Sequence, residues 1–113
     1  AKLVDVHPDG QAINVGEGIL RARFRESLEA PTPIEPGRVY EYKILVGSTA
    51  IVFKAGHRIR VEISSSNFPT FDRNSNSGVP LAEASPADWV VATQTVFHDN
   101  RYPSHIVLPL VPR

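Results

Sequence analysis

Residues 56–78 read GHRIRVEISSSNFPTFDRNSNSG, and the way this stretch divides decides the fold. Its first half alternates strictly: Ile59, Val61 and Ile63 fall on one side, Arg58, Arg60 and Glu62 on the other. That period of two is the pattern of a half-buried β-strand, with the three apolar residues expected to face inward. Its second half changes character, to serines, asparagines, Pro69 and Gly78, the residues that end strands and build turns.

The same period recurs outward from this point. Strands are expected over residues 2–7, 12–15, 18–26, 38–46, 50–53, 57–65, 89–98 and 104–111. In the stretch GILRARFRE, Leu20, Ala22 and Phe24 oppose Arg21, Arg23 and Arg25. His7-Pro8-Asp9-Gly10 and Lys54-Ala55-Gly56 have the composition of tight turns, the second with the spacing of a hairpin between 50–53 and 57–65. Pro109 removes a ladder donor from the last strand and places it at an edge or a bend. No apolar stripe repeats at 3.6 residues, although residues 81–85 have the makings of one helical turn. Short strands with Gly/Pro turns and no helix predict an all-β antiparallel sandwich or barrel.

Composition sets further bounds. A chain of 113 residues with 42% apolar and 21% charged residues is a single globular domain's worth of protein. Twelve Lys and Arg balance twelve Asp and Glu, so no net field draws in nucleic acid or an anionic membrane. No apolar run approaches the length of a membrane span. The chain has no cysteine, hence no disulfide framework, which fits a reducing, cytoplasmic compartment. It opens directly on a strand pattern without Met, as a piece of something longer would.

Four groups of residues invite a chemical reading. Ser64, Ser65 and Ser66 lack the strand–turn–helix elbow of a hydrolase nucleophile, and three serines closing a strand more often bond local backbone. Asp72, Asn74, Asn76 and Glu83 follow the count of a calcium loop, but the turn glycine falls one position late at Gly78. Asx-turns within the loop account for the same residues. The Arg21/Arg23/Arg25 row suits a solvated strand face paired with Glu41 or Glu62 rather than a phosphate grip. His98, Asp99 and His105 cluster around one turn but have no evident fourth metal ligand. Trp89, Tyr40, Tyr42, Phe68 and Phe71 offer stacking surfaces for a sugar, although aromatic residues in strands usually belong to a core.

Three stretches together carry a resemblance: KLVDVHPDGQAINVGEGILRARFRE (2–26), VFKAGHRIRVEISSSNFPTFDRNSNSG (52–78) and QTVFHDNRYPSHIVLPLVPR (94–113). Across nearly its whole length the chain resembles the C-terminal domain of the cocaine esterase and X-Pro dipeptidyl-peptidase-like acyl hydrolases. The resemblance implies a galactose-binding-like jelly roll joined to an α/β-hydrolase domain of the same parent chain. It also implies that the Ser-His-Asp triad, which cleaves ester or amide acyl groups through an acyl-enzyme, lies in that other domain. No catalytic residue, cofactor or metal ligand carries over to any position here. In relatives the jelly roll begins earlier, so the chain reads as an N-terminally truncated part of it, with open edges suited to homo-oligomer formation. On this reading Asn67, Phe68, Phe71, Asp72, Arg73 and Asn74 form a structural loop that docks on the neighbouring domain, with Phe68 and Phe71 packed inward. A free-standing carbohydrate- or ligand-binding module is the competing reading, and an esterase in its own right a third.

Overall fold

The computed structural model describes residues 1–112. Its regular structure is all-β: β1 (Lys2–Val6), β2 (Ala12–Glu17) and β3 (Arg58–Glu62) form one antiparallel sheet in the order β2-β1-β3. Two single 3-10 turns, Ala22–Phe24 and Pro86–Asp88, are the only helical segments among the described residues. The chain divides into two compact units, Ala1–Ile63 and a second beginning at Ser64. The sheet belongs to the first.

β1 is the centre of that unit. Leu3, Val4, Asp5 and Val6 are all buried, at 2%, 4%, 4% and 3% exposure. A strand covered on both faces should read as a continuous apolar run, and KLVDV does so except at Asp5. The interruption is met from β3's side of the sheet. His57, the residue before β3, places Nδ1 2.9 and 3.0 Å from the two Asp5 carboxylate oxygens, across 52 residues of sequence. A carboxylate taken out of water needs such a partner.

Register sorts the side chains onto two faces. Asp5 pairs with Ile13 and Ile59, and Leu3 with Gly16 and Val61, so these residues share one side of the sheet. The other side carries Val4 and Val6 with Arg58, Arg60, Asn14 and Ala12. Val15 is the extra residue of a β-bulge opposite Leu3 and Val4. Both turns expected at the end of the sheet are present. Gly10 N donates to His7 O at 3.0 Å, His57 N donates to Lys54 O at 3.0 Å, and Gly10 and Gly56 take φ of 92° and 82°.

Beyond β2 the backbone of residues 45–46 lies flat against two glycines. A Cβ at Gly16 would stand 2.7 Å from the Val46 carbonyl oxygen, and one at Gly18 would run into that of Leu45. Residues 38–46, expected as a strand, thus approach β2 at Leu45 and Val46 without joining its ladder.

Several expected strands are not strands. The GILRARFRE stretch turns through the 3-10 segment instead, because Arg25 swings inward. Its guanidinium donates to Ala22 O at 3.1 Å and Thr32 O at 2.7 Å, and lies 4.3 Å over the Tyr40 ring. Arg21 and Arg23 stay exposed as expected, but Glu41 and Glu62 pair with Lys43 and Arg60 rather than with this row. The 50–53 arm of the expected hairpin is not a strand, and β3 pairs with β1 instead. Residues 89–98 and 104–111 also form no ladder, save one isolated bridge between His98 and Pro103. Ile59, Val61 and Ile63, expected inside, are 53%, 42% and 52% exposed. Ladder bonds need a partner strand, and an alternating sequence without one forms no ladder.

Replacing Leu3 with Ala is expected to lower the unfolding free energy by about 2–5 kcal/mol. Gly18→Ala should cost about 1–3 kcal/mol, because the obstacle is a backbone carbonyl that cannot rotate away. Urea denaturation followed by circular dichroism measures both, and a Gly18→Ala chain as stable as the parent would contradict the close approach.

Candidate functional site

The second unit holds the loop singled out from sequence, and local chemistry shapes it. Ser64 Oγ donates to Ser66 O at 2.9 Å and accepts from Ser66 N at 3.3 Å, so this hydroxyl closes a turn. Phe71 N donates to Asn67 O at 3.0 Å, folding residues 67–71 back on themselves around a cis Phe68–Pro69 bond. Asn74 Oδ1 then accepts from Asn76 N at 3.1 Å, an Asx-turn.

Asn76 ties this loop to the chain around Trp89. It adopts φ of 58°, a conformation asparagine tolerates better than most residues. Its carboxamide donates to Val90 O at 3.0 Å, while Val90 N donates to Ser75 O at 2.9 Å. Ser75 is buried at 3% exposure, with its hydroxyl 2.8 Å from that of Ser77. These bonds clamp Val90 to residues 75–76 and so fix Trp89 beside the loop. The Trp89 approach is shaped by a capping box. Asp88 Oδ2 accepts from both the Ser85 backbone N–H and its hydroxyl at 2.7 Å. The Ser85 hydroxyl first, and its N–H second, hold the Asp88 carboxyl below its ordinary value.

The result is an open cleft lined by Phe68, Asp72, Arg73, Leu81, Ala82 and Trp89. Arg73 lies across it, its guanidinium carbon 4.7 Å from the Phe68 ring centre and 5.2 Å from that of Trp89. Two cation–π contacts hold a planar cation with donors to spare, a ready partner for an acidic or carbonyl group on another surface. They also occupy one face of each ring that a sugar would stack on.

Of the six residues expected at this site, Phe68, Asp72 and Arg73 line the cleft. Asn67 and Asn74 shape its backbone, and Phe71 is half-buried. Phe68, expected to pack inward, is 59% exposed. Sequence reasoning misses Leu81, Ala82 and Trp89 as partners of the loop, although the apolar Leu81-Ala82 pair beside Pro80 is a signal for them.

Two residues of the calcium count bond local backbone, Asn74 accepting through Oδ1 and Asn76 donating through Nδ2. Around the other turn, Asp99 accepts from Arg101 N and Tyr102 N at 2.9 and 2.8 Å, and His105 Nδ1 sits 2.7 Å from Pro103 O. Those groups brace a turn.

The fold and the matched sequence together define the class. Residues 1–107 match the model of the X-Pro dipeptidyl-peptidase C-terminal non-catalytic domain, and the chain belongs to that family. It is 50% identical over 113 residues to cocaine esterase from Rhodococcus sp. (strain MB1 Bresler). That match covers 100% of this chain and 20% of the relative, so the chain spans about a fifth of that protein's length.

Asn76→Ala should cost about 1–2 kcal/mol, through the lost bond to Val90 and the left-handed backbone, with a red-shifted Trp89 emission. Asn76→Gly, which keeps the backbone easy, should cost less. The Asp88 cap contributes fully above the ordinary carboxyl value of 3.8. It fades as pH falls through the depressed value in the folded chain. In Ser85→Ala, which removes the hydroxyl and keeps the backbone N–H, carboxyl NMR should find Asp88 titrating part of the way back towards its ordinary value; an unmoved titration would refute the hydroxyl's part in the cap.

Proposed function

We propose that this chain is the non-catalytic β-sandwich, jelly-roll in topology, of a serine acyl hydrolase of the X-Pro dipeptidyl-peptidase or acyl esterase type. It supports the α/β-hydrolase domain of its parent chain and takes part in oligomerisation. The observation that carries this reading is the apolar side of the sheet. Ile13, Ile59 and Val61 flank the buried Asp5 and Leu3, yet stand 42%, 53% and 42% exposed. Apolar rows of this kind beside a buried central strand mark a surface that another part of an assembly covers. β3 is in addition an edge strand, exposed at every position, with one side of its ladder unpaired.

Two surfaces then divide the work. The loop of Asn67, Phe68, Phe71, Asp72, Arg73 and Asn74 offers its stacked arginine to the hydrolase domain. The β3 edge offers ladder groups and apolar side chains to further strands, of the parent or of a second copy. Acyl transfer belongs to the hydrolase domain, where a nucleophile, its base and an oxyanion hole have to converge. Membership of a family described as non-catalytic supports that division.

A chimera tests it. This chain replaces the matched fifth of the Rhodococcus enzyme, with and without Ile59→Lys and Val61→Lys together. The chimera should retain ester hydrolysis, and the paired lysines should lower its melting temperature by several degrees. A melting temperature indifferent to the lysines would overturn the docking surface. Labelling of the isolated chain by a serine-directed fluorophosphonate would overturn the non-catalytic role.

A further inference from the structure

The sheet brings together two side chains from the end of β1 and a third some fifty residues on, all outside the loop site. Asp5 and His7 are two positions apart at the end of β1, so they point to the same face. The β1–β3 register pairs Asp5 with Ile59 and Val6 with Arg58; continued one step, it sets His7 opposite His57. The turn after Lys54 fixes that end of β3, through His57 N on Lys54 O at 3.0 Å. The two imidazoles come to 4.3 Å between ring centres, tilted at 42°.

Their ligand atoms converge. His57 Nδ1 is 2.9 and 3.0 Å from the Asp5 oxygens, and His7 Nε2 is 3.6 Å from Asp5 Oδ2. One ligand atom from each of the three lies within 4.8 Å of the others. Tetrahedral zinc with bonds of about 2.0–2.1 Å spaces its ligand atoms about 3.3 Å apart. The separations from the carboxylate bracket that edge, and the two imidazole ligand atoms lie within 4.8 Å of each other, close enough for side-chain rotation to bring all three around an ion. Burial is graded as well: the side chains of Asp5 and His57 are 5% and 11% exposed, that of His7 27%. Two ligands are thus held inside, and the third stands on the solvent side.

We propose that Asp5, His7 and His57 form a binding site for a divalent transition metal of the zinc class. One carboxylate and two imidazoles would fill three positions, and water the fourth. Imidazole–carboxylate donor sets of this softness favour zinc over calcium or magnesium. On binding, the metal takes the place of the proton shared between His57 Nδ1 and the carboxylate, and neutral His57 passes to its Nε2–H tautomer. The ion would then tie the end of β1 to the turn preceding β3. This site stands on the first unit alone and is independent of the docking role.

The test uses the intact chain, stripped of metal by a chelator and titrated with Co2+ and then Zn2+. One equivalent of cobalt should bind with the intense visible absorption of four-coordinate geometry, and zinc should raise the melting temperature. In His7→Gln, which spares the Asp5–His57 hydrogen bond, cobalt affinity should fall at least tenfold with the metal-free melting temperature unchanged. His105→Gln should leave affinity as it was. Independently of any variant, zinc should shift the ring NMR signals of His7 and His57 and not those of His98 and His105. Equal affinity in His7→Gln, a weak six-coordinate cobalt spectrum, or zinc shifts at all four histidines would each overturn the proposal.

Discussion

A carboxylate buried inside a central strand has to be met by a donor, and the surrounding structure is arranged so that one arrives. Asp5 sits at 4% exposure among Leu3, Val4 and Val6. Its partner, His57, comes from the far side of a 52-residue excursion. For that bond to form, residues 54–57 have to turn tightly and β3 has to lie against β1 in one register. A slip of one residue would carry Ile59 and Val61 to the other face and take His57 away from Asp5. The hydrogen bond and the strand pairing therefore specify each other. On the opposite flank, glycine at positions 16 and 18 lets the backbone of residues 45–46 close over the end of β2.

Around this small core lies mostly surface that has not been put to use within the chain. The row of Ile13, Ile59 and Val61 continues the core outward to both edges of the sheet, where it is half exposed. In the second unit the bonds among Ser75, Asn76 and Val90 hold Trp89 so that Arg73 rests between two aromatic rings. Both surfaces stand open to solvent. The chain belongs to a family described as non-catalytic and matches a fifth of an esterase's length.

Sequence alternation locates β1, β2 and β3 to within a few residues, because each has a ladder partner and turn residues at its ends. Alternation says just as much about residues 38–46, 89–98 and 104–111, which form no strands. Val91, Val107 and Leu110 are 97%, 81% and 87% exposed. Pairing is a property of two segments, and a pattern read along one segment carries no information about whether the other is there. Arg25 departs from its pattern for a related reason. It continues an alternating charged row, but its guanidinium has two carbonyls and an aromatic ring within reach, and that local offer bends the chain inward. The loop at 67–74 is legible because Asx-turns are encoded over two or three residues. The meeting of Asp5, His7 and His57 is not, because it depends on a register between strands more than fifty residues apart.

The most direct measurement is amide hydrogen exchange on the intact chain, read residue by residue by NMR. If β1 is the organising strand, Leu3, Val4, Asp5 and Val6 exchange slowest, followed by their ladder partners in β2 and β3. Residues 89–98 and 104–111 then exchange far faster. Protection in those later segments equal to that of β1 would contradict a fold built on one central strand.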